Sequence, residues 1–334
     1  MKINLIIFIS EFNLGGAGNS LFKLCKNLPK NKFAINVICL RHCFFKSELL
    51  KLGVKIHEIN SNKTLLAMFK IRSLVKNLIK KKHKNIFLSN IHFANVLSII
   101  FLKSLNIKIA IVERTPFEEL SIYYNFLDYF KKKIIKILIG LTYHKANACI
   151  SNSKFISSKY KKIYGLKFKT INPPSFKKVF FTKLKNNKKI CFGVVSRLSK
   201  EKKIEDIIKI VENIKGKISL EIIGDGPDKN KLKDLTKKLN ISNKVKFVGS
   251  VNPKKIHSVM QRFNYFINNS DFEGFPNSVV EALSSGIPVL ASQSHGGIND
   301  IIINKNFGII FNNNLELKNI LKKITQKKIE FKIE

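Results

Sequence analysis

Short apolar runs alternate with amphipathic stretches from one end of this 334-residue chain to the other, and that rhythm restricts its fold more than any other feature. The runs are Ile3–Ile9, Phe33–Leu40, Ile86–Ser89, Lys108–Val112, Ala146–Ile150, Ile190–Val195, Ser219–Ile223, Lys244–Val248, Tyr265–Ile267, Pro288–Ala291 and Gly308–Phe311. Most lack polar–apolar alternation, as strands buried on both faces do. Between them Asn19–Leu28, Leu65–Ile79, Asn95–Leu105, Leu120–Leu141, Lys203–Ile214 and Asp228–Leu239 repeat their apolar residues at helical spacing. Buried strands linked by helices predict α/β architecture with parallel, doubly wound sheets. The rhythm falters once. Asn172-Pro173-Pro174 stops a strand, and Phe176–Lys188 is Lys-rich without periodicity before a new strand starts at Ile190. The chain length suits two domains of roughly 150 residues. We therefore expect Rossmann-like domains at 1–175 and 190–334 joined by a linker at 176–189.

Composition narrows the function classes. The formal charge is +39, which invites a nucleic-acid reading. The excess is almost all Lys, however, with arginines only at positions 41, 72, 114, 197 and 262. Nucleic-acid readers concentrate Arg for bidentate contacts and stacking, and no aromatic-basic recognition motif is present. No nucleic-acid partner is expected. The charge is uneven: residues 1–175 carry a net +24 and the remainder +15. A basic first half suits an anionic membrane surface or an acidic acceptor. The five cysteines at 25, 39, 43, 149 and 191 form no metal spacing and no C-x-x-C pair, as in a reducing compartment. No apolar run reaches the ~18 residues of a membrane span, and Ile3–Ile9 is too short for a secretory signal. A cytoplasmic protein, peripheral on the inner face of the cell membrane, is the expectation.

Motifs that suit phosphate binding lie where strands give way to helices. The first strand runs into Leu14-Gly-Gly-Ala-Gly-Asn-Ser20, where Gly16 would let the backbone approach a phosphate. The spacing fails as a dinucleotide fingerprint, and a tight turn with nothing bound explains it as well. In Gly193-Val-Val-Ser-Arg197-Leu-Ser-Lys-Glu-Lys202, a strand delivers two cations to the carboxyl edge of a sheet, Arg as a planar fork and Lys as a point charge. Gly224-Asp225-Gly-Pro227 makes a close-approach turn with Asp225 near a helix cap. The most specific stretch is Glu273-Gly274-Phe275-Pro276-Asn277-Ser278-Val-Val-Glu281. Pro276 suits the first turn of a helix, so the amides of Phe275, Asn277 and Ser278 lie near an N-terminus that favours phosphate. Glu281 follows within two turns, able to reach a pair of hydroxyls, and Glu273 faces the same place from the loop. Ser294-His-Gly-Gly-Ile-Asn-Asp300 is expected to close the other side. In the first half, His92 and Arg114 each follow a strand's carboxyl end, the edge where open α/β sheets bind ligands. A lone His in such a place is more often structural.

In this order the motifs resemble the family 4 glycosyltransferases of the GT-B fold, over nearly the whole chain and most specifically from Gly193 to Asp300. The resemblance implies two Rossmann-like domains facing across a cleft, the first on the acceptor side and the second binding a nucleotide-diphosphate sugar. It implies a retaining, metal-independent hexosyl- or N-acetylhexosaminyltransferase with no cofactor, a UDP-sugar being the expected donor. By position, Arg197 and Lys202 would hold the diphosphate and stabilise the leaving group. Glu273 would bind the donor sugar near the reacting carbon, Glu281 the ribose, and Gly16 would lie against the diphosphate or sugar. Gly224, Asp225 and residues 274–278 would complete the donor site, with His92 and Arg114 on the acceptor side. Two departures matter: Arg114 stands where many relatives carry His, and Asp300 where the pattern has Glu. The expected acceptor is a glycan or lipid-linked molecule of bacterial surface polysaccharide or lipopolysaccharide assembly. The competing readings are a GT-B nucleotide-sugar epimerase, and a basic membrane- or nucleic-acid-binding protein without transfer activity.

Overall fold

The computed structural model of the chain describes residues 1–13, 15–123, 125–174, 189–329 and 331. It divides between Pro174 and Ser175 into two compact units. The expected linker at 176–189 lies outside the described residues except for Lys189, and so does Leu14 of the first glycine loop.

The first domain runs β1 (Ile3–Ile9), α1 (Gly16–Asn27), β2 (Phe33–Cys39), α2 (Lys46–Lys51), β3 (Lys55–Glu58), α3 (Thr64–Leu78), β4 (Lys84–Asn90), α4 (His92–Leu102), β5 (Lys108–Glu113), α5 (Phe126–Thr142), β6 (Ala148–Ser151), α6 (Lys154–Tyr164) and β7 (Lys169–Thr170). Its seven strands pair in parallel in the order β3-β2-β1-β4-β5-β6-β7. Successive side chains of a strand point to opposite faces, and the central strand shows what each face buries. Ile6 and Phe8 of β1 pack with α3 to α6, while Leu5, Ile7 and Ile9 pack with α1 and α2. Helices on both faces make the sheet doubly wound.

The second domain runs β8 (Ile190–Val195), α7 (Ile204–Glu212), β9 (Ile218–Ile223), α8 (Lys229–Lys238), β10 (Val245–Gly249), α9 (Ile256–Met260), β11 (Tyr265–Asn268), β12 (Phe272–Glu273), α10 (Asn277–Ser284), β13 (Val289–Ser292), β14 (His295–Gly296), β15 (Gly308–Phe311) and α11 (Asn314–Thr325). Six strands form a parallel sheet in the order β10-β9-β8-β11-β13-β15. One face buries Phe192 and Val194 against α7, α8 and α11, and the other buries Cys191 against α9 and α10. Both domains are therefore Rossmann-like.

The strand order reverses between β1 and β4 in the first sheet and between β8 and β11 in the second. Ligands of open α/β sheets bind outside the strands' carboxyl ends at such switch points. The segments leaving those four strands carry most of the candidate residues.

Three details differ from the periodicity-based expectation. Residues Lys55–Glu58 form an edge strand that a four-residue Lys-Ile-His-Glu run does not announce. The helix expected over Leu120–Leu141 is a 3-10 turn at Phe117–Ser121 followed by α5, which Asn125 caps by accepting from the Asp128 amide at 2.9 Å. Helix α1 begins at Gly16 instead of Asn19, so the glycines lie in its first turn. A Cβ at Gly18 would meet the Asn13 carbonyl oxygen at 2.0 Å, so only glycine lets the incoming loop cross there.

Candidate active site

In the second domain, β8 leads to Arg197 and then to the 3-10 turn Lys200–Lys202. The loop is clamped from below by the Gly224 turn. The Ser196 amide donates to the Ile223 carbonyl at 3.1 Å, and the Leu198 amide to the Asp225 carbonyl at 3.0 Å. A Cβ at Gly224 would lie 1.8 Å from the Ser196 oxygen, and one at Gly226 2.3 Å from the Leu198 oxygen. These glycines therefore make room for the Arg197 loop itself. Asp225 accepts from the Gly226 amide at 2.8 Å and pairs with Lys229 at 2.7 Å, and that lysine, then the amide, holds its carboxyl below the usual range. Arg197 is exposed, and no ion pair or hydrogen bond holds its guanidinium among the described residues.

Lys202 and Glu273, 71 positions apart in sequence, meet at 2.5 Å with side chains 17% and 18% exposed. The reversal of strand order between β8 and β11 brings them together. Ser270 also donates to the same Glu273 oxygen at 3.0 Å, a contact the sequence reading did not anticipate because a serine in an Asn-Asn-Ser-Asp loop carries no signal of its own. Glu273 is braced through its backbone as well. The two-residue strands β12 and β14 pair in parallel, placing Glu273 opposite Gly296. A Cβ at Gly296 would fall 1.4 Å from the Glu273 carbonyl oxygen, so this glycine is what allows the bridge. The loop expected to close the pocket's other side thus supports Glu273 directly, before the 3-10 turn that ends in Asp300.

Pro276 stands at the N-cap of α10 and offers it no side-chain cap. The first turn holds Asn277 and Ser278 and no acidic residue, so the positive end of the helix dipole is uncompensated there. Gly274 and Pro276 are buried, and Phe275 is half-buried. Glu281 lies half-buried in the second turn of α10, its carbonyl accepting from the hydroxyls of Ser284 and Ser285. Among the described residues no three His, Cys, Asp or Glu side chains cluster as metal ligands would.

In the first domain, Arg114 follows β5. Its Nε donates to Asn90 Oδ1 at 2.9 Å and its guanidinium to Ser20 Oγ at 3.2 Å, tying α1 to the end of β4. Both partners are neutral, and no carboxylate pairs with Arg114 among the described residues. Burial pulls its pKa down to about 10. A desolvated cation without a counter-ion is costly, and an anionic ligand removes the cost. Gly16 opens α1 and is exposed.

His92 is 4% exposed and engaged on both ring nitrogens. Nδ1 lies 2.7 Å from Glu113 Oε2 and 2.9 Å from the Tyr160 hydroxyl, and Nε2 lies 3.1 Å from Thr115 Oγ1. Burial opposes its charge, but the Glu113 carboxylate outweighs it and raises the pKa above the ordinary histidine value. Glu113 is 0% exposed and also accepts from Asn95 at 2.8 Å and from the Tyr143 hydroxyl. The sequence placed His92 at the edge; the structure turns its ring inward, towards a network whose centre is Glu113. The missed signal was an acid ending the otherwise apolar run Ile109-Ala-Ile-Val112.

Each domain also carries a non-glycine residue with positive φ beside its site, Ile91 at +77° and Lys203 at +47°. Such conformations cost of order 1–3 kcal/mol and persist where surrounding contacts hold them. The Ile91 amide bonds the Val112 carbonyl at 3.0 Å, and Lys203 pairs with Asp271. Two surface hollows, of about 390 Å³ beside Phe117 and Lys159 and about 250 Å³ beside Lys203 and Asp271, are lined by neither Arg197, Lys202 nor Glu273. The site is defined by converging side chains.

Comparison with known proteins joins these observations. Residues 14–173 match the family described as Glycosyltransferase Family 4, and residues 175–328 match Glycosyl transferases group 1. The lipopolysaccharide 1,6-galactosyltransferase of Salmonella typhimurium is 32% identical over 135 residues, 39% of this chain and 38% of that protein. The chain spans less than half the length of this and the other leading curated relatives, between 27% and 45%. Among solved structures, the apo lipopolysaccharide outer core galactosyltransferase WaaB has a TM-score of 0.75 at 19% identity, covering 100% of this chain and 92% of that one. Anabaena HepE in complex with UDP-glucose has a TM-score of 0.77 at 17% identity, covering 98% and 91%.

Proposed function

Since this chain belongs to the family 4 glycosyltransferases, we propose that it transfers a sugar from a nucleotide diphosphate, a UDP-sugar in the first instance, to a glycan or lipid-linked acceptor of bacterial surface polysaccharide or lipopolysaccharide assembly. The transfer proceeds with retention of configuration and without a metal ion. The observation that carries this reading is the Lys202–Glu273 pair at 2.5 Å, next to the unpaired Arg197 at the switch point of the second sheet.

Breaking an anomeric bond places negative charge on the β-phosphate of the leaving group. Fixed cations aimed at that charge stabilise the transition state more than the ground state. Arg197 supplies a planar fork and Lys202 a point charge. A diphosphate at this edge competes with Glu273 for Lys202, and the carboxylate so released accepts hydrogen bonds from the donor sugar near the reacting carbon. Ser270 and the β12–β14 bridge keep Glu273 in place through this exchange. The uncapped start of α10 adds its amides at Phe275, Asn277 and Ser278 to the phosphates, and Glu281 takes the ribose hydroxyls. Gly224 and Asp225 serve the donor indirectly, by seating the Arg197 loop. Gly16 at the start of α1 leaves its backbone open to a ligand, and Arg114 meets an anionic group on the acceptor. His92 contributes by ordering that edge through Thr115 and Glu113. HepE was crystallised with UDP-glucose, which supports the choice of base.

Thermal-shift titration with UDP- and GDP-sugars, followed by transfer of labelled sugar to undecaprenyl-diphosphate-linked glycans, tests the proposal. A UDP-sugar should raise the melting temperature and its label should appear in the acceptor. Stabilisation by neither nucleotide sugar, or epimerisation of the donor with no transfer, contradicts it.

A further inference from the structure

Helix α5 has two apolar faces and, among the described residues, only one of them is covered. Ile135, Ile139 and Thr142 face the core, at 5%, 0% and 6% exposure. On the other side Phe126, Leu127, Phe130, Ile134, Ile137 and Leu141 are between 46% and 75% exposed. At about 100° per residue these six fall within about a third of the helix circumference, forming one continuous stripe along its length. Scattered exposed apolar residues are ordinary on a protein surface, whereas a contiguous stripe of six marks an interaction site. Lys131 borders the stripe on one side and Lys133 on the other. The one acid of the helix, Asp128, points away from it and pairs with Lys132 at 2.9 Å.

We propose that this face of α5 docks the first domain on an anionic lipid bilayer, the six apolar side chains entering the acyl boundary and Lys131 and Lys133 meeting the headgroup phosphates. An amphipathic helix of this design lies in the plane of the interface, and lysine stems reach upward to the phosphates. The helix cannot cross the bilayer, because its opposite face is built into the domain core, and no described helix is long and apolar enough to span.

The same stripe has the spacing of a coiled-coil seam, with Leu127, Phe130, Ile134, Ile137 and Leu141 at alternating steps of three and four. Charge decides between the occupants. In a seam of two copies the flanking positions would be Lys131 and Lys133 from both chains, four cations with no acid among them, on domains that each carry a net +24 over residues 1–175. Like charges at those positions oppose pairing, and an anionic bilayer turns the same lysines into attraction. The surface is read from α5 alone and does not depend on the transfer reading, although a lipid-linked acceptor would present itself there.

Co-sedimentation of the full chain with phosphatidylcholine vesicles, with and without phosphatidylglycerol, tests this. The protein should bind only the anionic vesicles. Ile134→Gln with Ile137→Gln, both exposed sites with good helix formers introduced, should lower that binding by at least about tenfold. Lys131→Glu with Lys133→Glu should abolish the preference for phosphatidylglycerol. UDP affinity and melting temperature, measured in parallel, should stay unchanged in both variants, separating loss of docking from loss of fold or of donor site. Vesicle binding that is absent, indifferent to phosphatidylglycerol, or unaffected by both variants overturns the proposal. So does a wild-type dimer in sedimentation equilibrium that the isoleucine variant converts to monomer.

Discussion

In the first domain His92 and Glu113 lie 2.7 Å apart at 4% and 0% exposure, whereas in the second Lys202 and Glu273 lie 2.5 Å apart with nearly a fifth of each side chain open to solvent. The second pair spans β8 and β11, where strand order reverses, and the first spans the ends of β4 and β5, one strand from the reversal between β1 and β4, so both lie at the carboxyl edge of a parallel sheet. What differs is where the surrounding hydrogen bonds point. Around Glu113, Asn95, Tyr143 and Tyr160 close a network in the interior, and burial first, then the Glu113 charge, raises both tyrosine pKa values well above the ordinary range. Around Glu273 the supports are a single serine hydroxyl and a two-residue strand, which leave one face of the carboxylate outward. The first pair belongs to the architecture, and the second is the one we propose meets the ligand. Arg114 is the exception on the inward-turned side, since it is half-buried against neutral partners only.

The largest effect on turnover is expected at Glu273→Ala, with transfer falling at least ~10³-fold and melting temperature nearly unchanged; near-normal turnover in a steady-state assay would show the carboxylate to be structural. Next is Gly296→Ala, which acts through backbone displacement. The added Cβ pushes on the Glu273 carbonyl, and a shift of about an ångström at a positioned group costs about 10²-fold in rate. Wild-type kinetics in that variant would mean that the β12–β14 bridge does not position Glu273. The smallest effect on turnover is expected at Glu113→Ala, less than about twofold once the protein is folded. Its cost appears in stability, about 3 kcal/mol for leaving His92, Tyr143 and Asn95 without their shared partner, or about 6–10 °C in melting temperature. A calorimetric scan matching wild type would remove the claim that this network holds the domain.

The architecture was largely legible because buried parallel strands are apolar without interruption, as Ile3–Ile9 and Ile190–Val195 are. Lys55–Glu58 escaped notice because an edge strand is half exposed and can carry charge. Arg197, Lys202 and Glu273 were visible as motifs, but nothing local to either segment indicates that Lys202 would touch Glu273; that contact comes from β8 and β11 being neighbours. The Gly224-Asp-Gly-Pro227 turn signalled close approach; at Gly224, Gly226 and Gly296 the group that approaches is the protein's own backbone, a partner the glycine pattern alone cannot name. The second apolar face of α5 is present in its sequence, but which face the core covers is decided by packing against the sheet.

In the proposed donor site the diphosphate is held by the outward-turned cations of the second domain. Isothermal titration of UDP into wild type, Arg197→Ala with Lys202→Ala, and Arg114→Gln tests it most directly. We expect the double variant to lose at least about 100-fold in affinity and Arg114→Gln to stay within about twofold of wild type. Unchanged UDP affinity in the double variant, with the loss appearing instead in Arg114→Gln, would contradict the account.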